Sequence, residues 1–366
     1  MTYRKICEGI VSRHPAGTVI SSVAAPRCAL GPGGEIVCTF IAQSALGIND
    51  FKPMISRSYD AGLSWSEATL MWPDLTEKFS IFGSVSGTPS GELFFFGTRT
   101  AIHKQGEPFW SDATQGIKQN ELIWARSGNG GVAWSDFKVI EMPFAGSAEA
   151  PGAMCITRRT RILCCYAPYN TFNPLLTVIK DRVICLWSDN EGISWNHSIM
   201  LQFPYDDSNG AEAWIIELAD GRLLGTSWHI RKDADAPNAY ALSRDAGKTW
   251  SATKSTGILG QSTALAPLND GRALFLYNQR KYGDLGVWMA VVNPTEKDFG
   301  IQENQRIWAT GKVSETPGLV NHDSWTNFAF GEPSALLLPG NDILVTLWCS
   351  QHSEGQIAYV KLHLDG

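Results

Sequence analysis

The chain has 366 residues, 44% of them hydrophobic and 18% charged, with a formal net charge of −6. That balance excludes a disordered chain, and an acidic total without basic runs argues against a nucleic-acid partner. No run of about 18 apolar residues occurs, so no membrane span is expected.

The chain opens with MTYRKICEGIVSRHPAG, which lacks a hydrophobic signal core and makes the cytoplasm the expected location. From there on, apolar runs meet at tight turns and resume. The turns are GPGGEIV (31–37), TPSGELF (88–94), TRRTRIL (157–163), LADGRLL (218–224), LNDGRAL (268–274) and LPGNDIL (338–344), and each predicts a β-hairpin. After each of the first four comes another strand and then an eight-residue pattern, at Ser58–Trp65, Ser127–Trp134, Ser188–Trp195 and Ser243–Trp250. Its skeleton is Ser-x-(Asp/Asn)-x-Gly-x-(Ser/Thr/Ala)-Trp. Asp or Asn bonds the turn backbone, Gly supplies φ > 0, and Trp anchors the outgoing strand. Helical periodicity is nearly absent. Six such units predict an all-β fold: a six-bladed β-propeller of four-stranded antiparallel blades, one domain over 1–366. The last strand, QIAYVKLHL, ends the chain, so the N-terminal segment is expected to complete blade 6.

Eight cysteines, at 7, 28, 38, 155, 164, 165, 185 and 349, show no C-x-x-C spacing. They predict buried free thiols rather than a zinc or redox motif. No cofactor or metal is implied, and nothing sets an oligomeric state.

Antiparallel strand order assigns the two faces. The Ser…Trp turns join third to fourth strands, which places them on the outer rim of the bottom face as structural turns. A ligand is expected at the top, where first strands begin and second strands end. Nine residues before each hairpin glycine, or its equivalent, is the entry to a first strand. That register yields Glu212 in blade 4 and Glu332 in blade 6, with Ser262, Phe82 and Ala25 in blades 5, 2 and 1. Blade 3 has no turn glycine; Glu149 lies nearby. Second-strand exits carry Asp50, Arg99, His103, Tyr166, Tyr169, Trp228, His229, Arg280, Tyr282 and His352, and the link before blade 6 carries His322 and Trp325. Carboxylates, a few cations and aromatic rings on one funnel suit a carbohydrate substrate: rings cover sugar C–H faces, and carboxylates serve as acid, base or nucleophile. Two carboxylates held close together cannot both ionise easily, so one becomes a proton donor.

The eight-residue turns are similar to the Asp boxes of the sialidase superfamily, and this resemblance runs over essentially the whole chain. It implies a glutamate in blade 4 that activates a tyrosine nucleophile in blade 6, an acid/base aspartate in blade 1, and three arginines that clamp the sugar carboxylate. Glu212, in Glu212-Ala-Trp-Ile-Ile-Glu217, matches the activating glutamate; Asp50 matches the acid/base aspartate; Arg280 matches the third arginine. The family's Arg-Ile-Pro reads Ala24-Ala25-Pro26, and Arg27 lies three residues on, where strand alternation turns it the other way. The second arginine falls at Trp228 and the tyrosine at Glu332. A carboxylate nucleophile suits an ordinary aldose glycoside. The leading expectation is therefore an exo-glycosidase acting on a terminal sugar other than standard sialic acid, with Glu212, Glu332 and Asp50 catalytic. Arg280, Trp228, His229, Glu149, Tyr282 and Arg27 are its candidate sugar contacts. Six-bladed exo-arabinanases resemble the arrangement, with either Glu332 and Glu212 or Glu149 and Glu212 as the pair. A polysaccharide lyase and a non-catalytic carbohydrate-binding propeller are the alternatives.

Overall fold

The second strand of each blade reads as a nearly unbroken apolar run: IVCTFIAQ at Ile36–Gln43 and ILCCYAPY at Ile162–Tyr169 are buried at every position. A strand buried on both sides must have a neighbouring sheet on each face, and radially packed blades supply that. In a computed structural model describing residues 2–149, 152–232, 234–310, 328–351 and 354–365, six antiparallel sheets form the blades of a β-propeller. From the axis outwards, blade 1 is Ser22–Leu30, Ile36–Gln43, Lys52–Ser58 and Thr69–Leu70, and blade 2 is Phe79–Gly87, Leu93–Ala101, Glu121–Ser127 and Lys138–Ile140. Blade 3 has a split inner strand, Ser147–Glu149 and Cys155–Ile156, followed by Ile162–Tyr169, Arg182–Ser188 and Asn196–Gln202. Blade 4 is Ser208–Glu217, Leu223–Arg231, Ala239–Ser243 and Lys254–Ser255; blade 5 is Gln261–Pro267, Ala273–Gln279, Gly286–Val292 and Ile301–Ala309. Blade 6 is Phe330–Leu337, Asp342–Gln351 and Glu354–Leu364, and the N-terminal strand Tyr3–Pro15 pairs along its outer edge from Tyr3↔Leu364 to Pro15↔Glu354. This closes the ring and covers an edge that would otherwise be open to association. Among the described residues the one α-helix is a single turn, Pro73–Thr76, and no helix is long and apolar enough to cross a membrane.

The four Ser…Trp turns join third to fourth strands of blades 1 to 4. In each, the serine Oγ accepts the glycine N–H: Ser58 from Gly62 at 2.8 Å, Ser127 from Gly131 at 3.0 Å, Ser188 from Gly192 at 2.9 Å and Ser243 from Gly247 at 2.9 Å. Asp60 Oδ1 accepts the N–H groups of Leu63 and Ser64 at 3.1 and 2.9 Å, and Trp65 donates back to the Gly62 carbonyl. The serine and the Asp or Asn of each box are spent on the turn itself, while carbonyls at its tip accept from the neighbouring blade, as Gly130 does from Arg57 and Gly247 from Ser198 Oγ. All eight cysteines are free thiols, six of them buried, with Cys7 and Cys28 part-buried.

Candidate active site

Four inner strands carry the same irregularity at their entries. Pairing with the second strand slips between Ala24 and Arg27, Ala211 and Trp214, Gln261 and Ala264, and Gly331 and Ser334. Each slip is a β-bulge, two residues facing one, and its first residue is left-handed: Ala25 at φ 51°, Glu212 at 47°, Ser262 at 59° and Glu332 at 45°. These are four of the five positions that counting back from the hairpin turns picks out. The fifth, Phe82, pairs regularly with Thr98. A left-handed non-glycine residue costs about 1–2 kcal/mol, so four at equivalent places form a systematic feature that re-aims side chains at the axis.

Side chains from neighbouring blades cap the N–H groups that these bulges expose. Glu149 Oε2, from blade 3, accepts the Glu212 N–H at 2.9 Å. Glu332 Oε2, from blade 6, accepts the Ala25 N–H at 2.7 Å. With its amide turned to meet its donors, Asn278 in blade 5 accepts from Ser262 Oγ at 2.8 Å, Arg280 Nη2 at 3.1 Å and the Glu332 N–H at 3.3 Å. Glu212 in turn bonds the Ser262 side chain. The three glutamates thus line the floor of one cavity of about 230 Å³ on the axis. Its walls are strongly aromatic, with Phe82, Tyr169, Trp228, Phe328 and Trp348 among them.

The floor holds excess negative charge in a dry setting. Burial, then repulsion from Glu212, pushes Glu149 well above the usual carboxylate range. Burial, then the charge of Glu332, raises Glu212 to about 7, opposed by the Ser262 hydroxyl, Arg280 and Arg27. Its Oε2 is buried without a hydrogen-bond partner. Burial also raises Glu332, but Arg27, the Ala25 N–H, Arg280 and the Trp348 indole all favour its ionised form. Among the three, Glu332 has the most partners that favour its ionised form, and Glu212, at about 7, is poised to exchange a proton near neutrality.

The remaining candidates lie elsewhere. Asp50 does not line the cavity: its carboxylate accepts the Ser44 N–H at 3.2 Å and sits 3.8 Å from Lys52, while its neighbour Phe51 faces inwards. His229 is buried, bonds Ser208 Oγ at 2.9 Å and stacks on Phe203 at 4.4 Å; burial lowers it to about 4, which keeps it neutral. Tyr282 bonds Asp235, and both His229 and Tyr282 line a separate shallow depression. Arg27 is only 2% exposed and passes beneath Glu332: Nη1 donates to the carbonyls of Pro26 and Glu332 at 2.8 and 2.9 Å, and the guanidinium covers Trp214. It lines a different cavity, of about 370 Å³, at the other end of the axis. Of the second-strand exits, Tyr169, Trp228 and Arg280 line the site; Arg99, His103 and Tyr166 do not. His322, Trp325 and His352 lie outside the described residues.

Two groups of lining residues escaped the sequence reading. Trp348 sits seven residues past its turn, as Trp228, Asn278 and Thr98 do past theirs, so the register that located the glutamates also contains it. Phe109, Trp110, Ile117 and Lys118 come from a small hairpin, Trp110–Ser111 with Gly116–Ile117, inserted between the second and third strands of blade 2. Its pairing with the blade 1 loop (Asn49 N–H to the Glu107 carbonyl, 2.8 Å) and with blade 3 (Ile117 N–H to the Asn170 carbonyl, 3.0 Å) has no local sequence signature.

No protein-family model matches the sequence. Among solved structures, a protein of unknown function from Dyadobacter fermentans superposes with a TM-score of 0.77 at 19% identity, over 99% of each chain. The Hadza microbial sialidase Hz136 superposes with a TM-score of 0.68 at 14% identity, over 97% of this chain and 68% of its own. The intramolecular trans-sialidase from Ruminococcus gnavus, solved with oseltamivir carboxylate, gives a TM-score of 0.62 at 15% identity, over 96% and 97%. The fold is that of the sialidase propellers. At these identities the likeness extends to the backbone and its blade order. The floor of the cavity in this sialidase-type propeller carries three glutamates from blades 3, 4 and 6, with Glu332 where the resemblance implies a tyrosine.

Proposed function

We propose that the protein is a glycoside hydrolase acting on a terminal sugar, with Glu332 as the charged carboxylate and Glu212 as the proton donor. One observation carries this reading. Two glutamates on equivalent strained bulges face one aromatic cavity with their charge-stabilising partners split unequally: burial raises both, to about 7 for Glu212, while Arg27, the Ala25 N–H, Arg280 and the Trp348 indole all oppose the rise in Glu332. Such a split is how two carboxyls of one type take opposite roles in glycoside cleavage. Glu212 gives its proton to the glycosidic oxygen as that bond breaks. Glu332 faces the positive charge that develops at the anomeric carbon. Glu212, now ionised, takes a proton from the water that completes hydrolysis. Glu149, pushed well above the usual carboxylate range, holds its proton rather than adding a third charge, and its Oε2 accepts the Glu212 N–H. Aromatic faces such as Trp228 and Trp348 suit the C–H faces of a sugar ring.

The test is turnover of a panel of aryl glycosides by wild type, Glu212→Gln and Glu332→Gln. Release by the wild type, lowered at least about 100-fold in both variants, is expected. Equal rates in all three would refute the assignment. One observation favours a second reading, a non-catalytic carbohydrate-binding propeller: Glu149 and Glu332 both cap a neighbouring blade's N–H, a structural duty that needs no chemistry. Sugar binding without turnover of any panel member would support it.

A further inference from the structure

We infer that the sugar held in this cavity carries no carboxylate, and that Arg280 is a positioning residue for Glu332 rather than a substrate clamp; the inference rests on the carbohydrate reading of the site. Two cations, Lys118 and Arg280, line the cavity among the described residues, against three glutamates. Both cations are already engaged. Lys118 Nζ pairs with Glu107 and donates to the Ala101 carbonyl at 3.1 Å. Arg280 is 4% exposed; its Nε and Nη2 converge on the Phe330 carbonyl at 2.8 and 2.6 Å, and Nη1 reaches Gln261 at 3.3 Å. Its guanidinium lies 3.9 Å from the centre of the Phe328 ring. The Nε/Nη2 edge is the parallel pair of donors that grips a carboxylate, and here one main-chain oxygen occupies it.

The Phe330 carbonyl belongs to the strand entry just before the Glu332 bulge. A Cβ on Gly331 would come within 2.1 Å of Arg280 Nη2, so the backbone there is closed around the guanidinium. Through Asn278 the same arginine also joins the network that receives the Glu332 N–H. Arg280 therefore fixes where the Glu332 carboxylate points. A substrate carboxylate would enter a cavity with no open cationic fork among the described residues, close to Glu332, which the proposed chemistry uses in its ionised form. One such like-charge contact at about 5 Å weakens binding roughly 100-fold. A neutral sugar meets aromatic walls and side-chain hydroxyls and amides instead.

Matched pairs test this directly on the wild-type protein. Binding of methyl galactoside against methyl galacturonide, methyl glucoside against methyl glucuronide, and methyl arabinofuranoside against the methyl glycoside of N-acetylneuraminic acid would be measured by calorimetry and saturation-transfer NMR. At least one neutral member should bind, and every acidic member should bind at least about 100-fold more weakly. An acidic member binding as tightly as its neutral partner overturns the inference, as does failure of every neutral member to bind. The hydrolase reading has a separate readout. Turnover of an aryl uronide that is lost in Glu212→Gln sinks the inference and leaves hydrolysis standing; neutral binding without turnover does the reverse. Arg280→Lys adds a check on the arginine's role. As a positioning residue it should lower kcat and shift the pH midpoint while leaving the neutral-over-acidic preference unchanged. A changed preference with an unmoved pH profile would make it a clamp.

Discussion

Replacing Glu212 with Gln should remove a pH-dependent loss of stability. The carboxyl titrates at about 7 when folded, against an ordinary value of 4.5. The folded protein therefore holds a proton that the unfolded chain has already released, and stability falls as pH rises between those values. The gap corresponds to about 3 kcal/mol, fully present below pH 4.5 and lost by about pH 7. Spread over a chain of 366 residues, that is about 4 °C in Tm. Thermal unfolding of wild type and Glu212→Gln at half-unit steps from pH 4.5 to 8 gives the difference curve. The wild type should lose about 4 °C relative to the variant across that window, then run parallel to it. Because the charge of Glu332 is one cause of the shift, Glu332→Gln should move the wild-type step to lower pH. Parallel curves throughout would mean that Glu212 titrates normally, and the proton-donor assignment would fall with them. In turnover the same group predicts loss of kcat/KM as pH rises through about 7, since a general acid must hold its proton.

Other perturbations test the frame around it. Gly331→Ala should destabilise by about 1–3 kcal/mol and depress turnover, because its methyl meets Arg280 and the Trp348 indole at 2.1 and 2.9 Å; denaturant titration beside kinetics checks both. Ala25→Gly should stabilise by up to about 1 kcal/mol, since Ala25 sits at φ 51° and its contribution to Glu332 is a backbone N–H that glycine keeps; urea midpoints report it. Ser127→Ala should cost about 1–2 kcal/mol through the lost Gly131 N–H bond, with kcat unchanged, since that turn lies between the outer strands of blade 2. An equal loss of activity in Ser127→Ala would contradict the separation of turn and site.

The chain's punctuation made the blades legible: hairpin turns and Ser…Trp turns act within a few residues, so each announces itself locally. The same counting located Glu212 and Glu332, because a bulge at a constant distance from a hairpin is still a local property. Asp50 failed that test. A position one residue from a cavity-facing Phe51 points away, and only the Ser44 N–H and Lys52 decide which of the two turns in. Arg27 shows the same limit from the other side: alternation turns it away from Ala24, and the structure places it beneath Glu332, lining the cavity at the other end of the axis. The blade 2 hairpin was illegible because its partners lie in blades 1 and 3.

The bulges explain why a strained backbone recurs at the inner-strand entries of Glu212, Glu332 and their equivalents Ala25 and Ser262. A regular inner strand would point alternate side chains into the neighbouring blades, where a carboxylate has no water and no partner. A left-handed residue turns its side chain toward the axis and leaves its own N–H facing the preceding blade, where Glu149 and Glu332 accept it from Glu212 and Ala25. The strain therefore produces two things at once: a carboxylate in the cavity and a donor that holds the next one. This coupling makes the floor cooperative. Removing the Glu149 side chain strips the acceptor from the Glu212 N–H, so Glu149→Ala should disturb the proton affinity of Glu212 without touching substrate. Glu149→Gln keeps an acceptor oxygen for that N–H and replaces a carboxyl that already holds its proton with a neutral amide. The pH midpoint of turnover should therefore stay near the wild-type value in Glu149→Gln, while Glu149→Ala should shift it and lower kcat. A midpoint that moves equally in both variants would show that Glu149 carries a charge in the wild type, against its protonated assignment.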